Sequence, residues 1–221
     1  MYRIDHCGNL MHFTKGGTAN PLNYEEAYNT FKKIINTLTI KGSTKYIFGK
    51  KKCVCFTEAP AICLTRDGKL DTAYFKRYTP FGFQFSKKYI FNLGGRPVIY
   101  STTKEYEDEK DNDRINWRYV SYDPNLEGKR DFTWEREWRI HNDSIPFNNE
   151  DVKLVFPNRE WIDRFVQDHE KEQHGDCEEC YCERDLIIYK FTDFIENCEV
   201  LGGTCPDPQK FPWIMIDMDE K

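Results

Sequence analysis

Apolar residues at Ala27, Tyr28, Phe31, Ile34, Ile35 and Leu38 recur with the period of an amphipathic helix and predict one over Tyr24 to Leu38. Asn23 stands where an N-cap belongs, and Glu26, three residues on, completes a capping-box pattern. Most other segments alternate with the two-residue period of a strand or form short apolar runs. Leu10 to Thr14, Cys53 to Thr57, Phe81 to Phe85, Pro97 to Tyr100, Trp117 to Tyr122, Trp134 to Ile140, Asp151 to Phe156 and Leu186 to Phe191 all read this way. Glycine, proline or charge closes several of them, as in Lys15-Gly16-Gly17 and Glu58-Ala59-Pro60.

A second helix is expected over Pro157 to Glu172, with Trp161, Ile162, Phe165 and Val166 on its apolar face. Gly42 to Lys52 reads as a loop. The almost wholly charged stretch Lys104 to Arg114 reads as a solvated loop or the exposed face of a helix. Short strands outnumber helices and do not alternate strictly with them, which predicts an α+β fold rather than a doubly wound parallel sheet. No repeat and no linker divides the chain. The expectation is one domain over 1–221, with the motifs in 1–150 and a strand–helix–strand extension carrying a Cys-rich turn in 151–221.

Composition narrows the class. Aromatics make up 15% of the 221 residues, so the core must be built largely from rings. The longest apolar runs fall far short of the ~20 residues that span a bilayer, and no signal-peptide pattern opens the sequence. With nine cysteines, an odd number, the expectation is a reduced cytoplasmic protein with free thiols, not a disulfide framework and not a membrane protein. The net charge of −5 argues against broad coating of nucleic acid by phosphate neutralisation.

Five constellations carry candidate chemistry. His12 and Thr14, two apart on a strand, share a face and make a donor/acceptor pair suited to sugar hydroxyls; an edge pair without a ligand is the plainer reading. In Thr133-Trp134-Glu135-Arg136-Glu137-Trp138-Arg139, a strand would put Glu135, Glu137 and Arg139 on one face, the two carboxylates ~7 Å apart. Such a pair can stabilise positive charge developing on a sugar ring, and the plainer reading is acids paired with neighbouring arginines. Cys53 and Cys55 share a face as a redox pair, a metal edge or small core residues; Thr57 and Glu58 at the strand exit are candidates to line a pocket. Cys177 and Cys180 have the spacing of a zinc knuckle, with Cys182 and His174 or His169 completing a structural zinc set, or Cys198 and Cys205 a more distant pair; free thiols in a surface loop are the plainer reading. Lysines 41, 45, 50, 51 and 52, interleaved with Tyr46 and Phe48, form a basic aromatic loop of the kind that holds single-stranded nucleic acid, with a solvated loop as the plainer reading. No dinucleotide-binding glycine fingerprint, Walker loop or nucleophile elbow occurs.

The order of His12-Phe13-Thr14-Lys15, Val54-Cys55-Phe56-Thr57-Glu58-Ala59-Pro60, Tyr78-Thr79-Pro80-Phe81-Gly82-Phe83, Arg96-Pro97-Val98-Ile99-Tyr100 and Glu135-Arg136-Glu137-Trp138-Arg139 resembles the AbiGi family of abortive phage infection proteins, labelled as antitoxins. The resemblance covers about residues 10 to 140, and its last motif is the most specific. A more distant similarity, through the His-x-Thr strand, the aromatic-Thr strand and the late Glu-x-Glu, is to ADP-ribosyltransferases, including the DarT-like toxins that modify DNA.

That second resemblance implies a split antiparallel sheet with flanking helices and NAD held in a central cleft. It implies NAD positioning by His12 and Thr14, with Thr57 and Tyr100 also on the cofactor side. Tyr78 and Tyr74 are rivals of Tyr100 for stacking on nicotinamide. It implies catalysis by Glu137 and acceptor orientation or activation by Glu135. The expected function is an NAD-consuming ADP-ribosyltransferase acting in phage defence or as a toxin, with a nucleic-acid or protein acceptor. The alternative is a non-catalytic antitoxin or phage-sensing module that binds the product of a neighbouring defence gene.

Overall fold

A computed structural model of the chain describes residues 7–16, 23–59, 65–66, 69–70, 78–125, 131–174, 188–190 and 214–218. In chain order the first half holds β1 (Asn9–Phe13), α1 (Tyr24–Thr37), β2 (Thr39–Lys41), β3 (Cys53–Thr57), β4 (Thr65–Arg66), β5 (Lys69–Leu70), β6 (Gly82–Ser86), α2 (Lys87–Asn92), β7 (Arg96–Pro97) and β8 (Ile99–Ser101). The second half holds α3 (Thr103–Glu109), β9 (Tyr119–Ser121), β10 (Glu137–His141), β11 (Ser144–Pro146), β12 (Val152–Phe156), α4 (Arg159–His174), β13 (Ile188–Lys190) and β14 (Ile214–Asp217). The class is mixed α and β. The chain groups into two interleaved compact units, one of Met1–His12, Lys32–Pro60 and Phe85–Asn148, the other of Phe13–Phe31, Ala61–Gln84 and Asn149–Lys221.

The first unit is organised by an antiparallel ladder in the order β1-β3-β10-β7. Its centre is β3 against β10, with Thr57 opposite Glu137, Phe56 opposite Trp138, Cys55 opposite Arg139 and Cys53 opposite His141. Because side chains alternate, this register gives the two faces different chemistry. Val54, Phe56, Trp138 and Ile140 share one face, where Phe85 meets Phe56 edge-on at 5.9 Å and Phe147 at 5.6 Å. Cys53, Cys55, Thr57, Glu137 and Arg139 share the other, where Cys53 packs with Ile47 and Trp117. Smaller pairs, β2 with β11 and β8 with β9, complete the unit.

The second unit joins β12 and β13 in parallel to β14, with β6 beside β12. A continuous apolar run, Ile214-Met215-Ile216, makes β14, which the alternation pattern does not anticipate; parallel strands covered on both faces lack the polar half of that pattern. The core of the unit is aromatic. Phe31 on α1 lies within 4.9–6.1 Å, centroid to centroid, of Phe81, Phe83, Phe156 and Phe165. Each such buried ring contributes roughly 1.5–3 kcal/mol. Arg164 of α4 stacks over Tyr28 and Trp161 and grips Glu25 with two bonds, fastening the start of α1 to α4.

Local signals held for the helices. Glu26 N–H donates to the Asn23 side chain at 3.1 Å, as a cap requires, while Asn23 N–H goes to the Gly16 carbonyl. Within the charged stretch, Thr103–Glu109 is a helix, started by a full capping box between Thr102 and Glu105. Two expected strands are shortened by 3-10 turns, Asn116–Arg118 before β9 and Thr133–Glu135 before β10.

Candidate functional site

The second shortening changes the site. Asp131 accepts bonds from the Thr133 N–H (2.8 Å) and hydroxyl (2.6 Å), and Arg136 takes a left-handed backbone, φ 46° and ψ 50°. Only after that turn does β10 begin, at Glu137. The expectation that Glu135 and Glu137 share a strand face is therefore corrected: Glu135 lies in the turn, and only Glu137 and Arg139 are strand neighbours on one face. An arginine without glycine's freedom held at positive φ stores strain, a feature concentrated where side chains are aimed for function.

Glu137 is half-buried and tightly held. Arg139 donates from Nε to Oε1 at 2.8 Å and from the Nη2 nitrogen to Oε2 at 3.2 Å. The arginine side chain is 3% exposed and that of Glu137 16%. The remaining Nη1 nitrogen of Arg139 donates to the carbonyls of Trp117 (2.8 Å) and Tyr119 (3.0 Å), so the fork is pinned on both sides. Burial pulls the Arg139 pKa down, and the facing Glu137 carboxylate outweighs it and leaves it raised. The Tyr100 hydroxyl accepts from the Glu137 backbone N–H at 3.2 Å and donates to the Phe132 carbonyl at 3.1 Å. Burial, joined by the charges of Glu137 and Glu135, pushes the Tyr100 phenol up to about 12.

Thr57 is opposite Glu137, but its hydroxyl donates to the Glu135 carbonyl at 2.6 Å and accepts from Ala59 N–H at 3.1 Å. It braces the turn that carries Glu135. Thr14 lies beyond the end of β1, 3% exposed, with its hydroxyl bonded to the Phe81 carbonyl and the Thr79 hydroxyl. Both threonines thus hold backbone in place.

His12 is placed on the other face from Glu137. Met11 is opposite Thr57, so one step on His12 comes opposite Phe56, and its ring meets the Phe56 ring at 5.9 Å. Its Nδ1 donates to the Cys55 carbonyl at 2.8 Å, which fixes the proton on that nitrogen. The structure therefore brings together Glu137, Tyr100 and Thr57, with Glu135 on the adjoining turn, and sets His12 across the sheet from them. Tyr78 carries the Lys15 ammonium over its ring, and Tyr74 lies outside the described residues.

A second clasp, on the His12 face, was not legible in the sequence as a unit. Glu58 continues β3 by one residue, its N–H reaching the Arg136 carbonyl at 3.3 Å. Its carboxylate accepts from Lys87 Nζ at 2.6 Å and from the Trp138 indole N–H at 2.7 Å. Lys87 lies 29 residues away and had no local signal.

Of the cysteines of β3, Cys53 is a core residue and Cys55 packs, partly buried, against the same cluster. Burial pushes the Cys53 thiol up to about 11 and Cys55 well above its ordinary value, in both cases with help from the Glu137 charge. Both are free thiols. Since thiolate is the reactive form, neither is expected to be alkylated by iodoacetamide in the folded protein at pH 8. Mass mapping checks this, and rapid labelling of Cys53 or Cys55 without unfolding would contradict it.

Cys177, Cys180 and Cys182 lie outside the described residues, as do Cys198 and Cys205; His174 ends α4. Among the described residues no group of three or more His, Cys, Asp or Glu side chains is arranged to hold a metal ion, and no helix is long and apolar enough to cross a membrane. In the basic loop, Lys51 and Lys52 pair with Asp113 and Asp143, and Tyr46 is 72% exposed with Lys45 over its ring. No family model, no curated protein and no solved structure matches the chain.

Proposed function

We propose that the chain is an ADP-ribosyltransferase-like protein that cleaves NAD and passes ADP-ribose to a macromolecule, in phage defence or as a toxin. The observation that most supports this reading is the Glu137 carboxylate, held at the start of β10 by a buried bidentate arginine directly after a left-handed residue. Breaking the bond between nicotinamide and C1 of its ribose sends the bonding electron pair to nicotinamide and leaves oxocarbenium character on the sugar. Glu137 accepts a hydrogen bond from the neighbouring 2-hydroxyl, an interaction that strengthens as positive charge develops. Glu135, on the adjoining turn, orients the acceptor nucleophile, which attacks C1 and passes its proton to the Glu135 carboxylate. Tyr100, fixed by its two backbone partners, closes the nicotinamide side. The ADP-ribosyltransferase-like split sheet belongs to this proposal.

A second reading, a non-catalytic antitoxin or phage-sensing module, is favoured by a different observation. The hydroxyls of Thr14 and Thr57 are spent on internal bonds, and Glu137 is already paired. One experiment separates the two. Purified protein is incubated with NAD labelled on its adenylate half and with cell lysate, and nicotinamide release and label transfer are followed. Release with label on a macromolecule is expected, and nuclease or protease digestion then names the acceptor class. No release from folded protein, alone or with its genomic neighbour, favours the binding module.

A further inference from the structure

β7 is the outer strand of the first unit's ladder, and two half-buried arginines meet at it. Arg96 is opposite Arg139 in the β7–β10 register, and Arg139 also holds the turn Asn116–Arg118 through the Trp117 carbonyl. That turn delivers Arg118, whose Nε donates at 2.9 Å to the carbonyl of Pro97, the residue next to Arg96. Pro97 has no N–H to offer and its carbonyl is taken, so this point of the edge is closed to pairing with a further strand.

Both guanidinium groups are fixed by the protein itself. Arg96 Nη1 donates to the carbonyls of Phe91 (3.0 Å) and Gly95 (2.6 Å), and its guanidinium carbon lies 3.9 Å from the centre of the Phe91 ring. These bonds leave Nε and Nη2 of Arg96 and both Nη nitrogens of Arg118 without a partner among the described residues. Nor does either arginine meet a carboxylate there, whereas Arg139, Arg159 and Arg164 each do. Burial, and then the charge of Arg96, lowers the Arg118 pKa, the mark of like charges held near one another.

We propose that Arg96 and Arg118 form an anion site for the terminal phosphate group of a small ligand. The inference goes beyond NAD cleavage and does not depend on it. Two forks arriving from different segments suit the several oxygens of a phosphate; a carboxylate is satisfied by one fork, as Glu137 is by Arg139. A terminal phosphate carries close to two charges and offsets both arginines, while a phosphodiester carries one.

Inorganic pyrophosphate is the probe, titrated calorimetrically into the full chain at low ionic strength. Arg118→Gln is expected to weaken binding about 10-fold, because it removes charge-assisted bonds and leaves the Arg96 contacts in place. Arg96→Gln is expected to do the same, and the double variant to abolish saturable binding. Lys88→Gln, which takes one positive charge from an exposed position on α2, is expected to change affinity less than about twofold. Unfolding curves establish that each variant is folded. Should Arg96→Gln not fold, since Arg96 also closes the turn after α2, Arg118→Gln decides alone. Unchanged affinity in Arg118→Gln, an equal loss in Lys88→Gln, or no binding by wild type overturns the site. Displacement of pyrophosphate by oligothymidylate at equal phosphate concentration identifies a phosphodiester backbone as the source and overturns the terminal-phosphate assignment; failure to displace it supports the small ligand.

Discussion

Replacing Arg139 with methionine is expected to lower stability by about 3–5 kcal/mol, the usual cost of removing one partner from a buried ion pair. The arginine is 2% exposed and serves three acceptors at once: the Glu137 carboxylate and the carbonyls of Trp117 and Tyr119. Methionine fills most of the volume but strands the carboxylate and leaves both carbonyls without that donor. The double variant Glu137→Gln/Arg139→Met removes both charges and is expected to recover most of the loss, because much of the single variant's cost lies in the uncompensated charge. Urea unfolding of wild type, single and double variants measures the difference. A single-variant cost below about 1 kcal/mol is the behaviour of a surface pair and would contradict the clamp.

Glu137→Gln is expected to reduce nicotinamide release by about 100–1,000-fold, the range seen when one preorganised group facing transition-state charge is removed. Glutamine keeps the shape and an oxygen toward Arg139 but cannot offer the charge that an oxocarbenium-like sugar demands. Glu135→Gln should behave differently. Its carboxylate belongs to the 3-10 turn, not to the strand, so the variant is expected to keep most nicotinamide release and lose label transfer to the acceptor. Parallel assays of release and transfer on the two variants check this, and equal losses in both assays for both variants would remove the distinction.

What could be read from the chain, and what could not, follows from how far apart the partners lie. The helix at Tyr24–Thr37, its Asn23 cap and the strand Cys53–Thr57 depend on neighbours within a few residues, and the pattern located them to within a residue. The pairing of Glu137 with Arg139 was also local, two residues apart on one strand, and was visible as the plainer of two alternatives. The turn at Arg136 was hidden because Trp134, Arg136 and Trp138 mimic strand alternation, while the bond that fixes the turn comes from Thr57, 78 residues before Glu135. The separation of His12 from Glu137 was hidden for a related reason. Face is set by cross-strand register, and a single step, Met11 rather than His12 opposite Thr57, decides it. Lys87 meets Glu58 only through the tertiary fold, across 29 residues, so nothing in its neighbourhood singled it out.

The most direct measurement is nicotinamide release from NAD by wild type and by Glu137→Gln/Arg139→Met, each shown to be folded by its unfolding curve. Release by wild type and none above background from the equally folded double variant is the predicted result. Wild-type rates in the double variant, or no release from folded wild type, would contradict the assignment of NAD chemistry to Glu137.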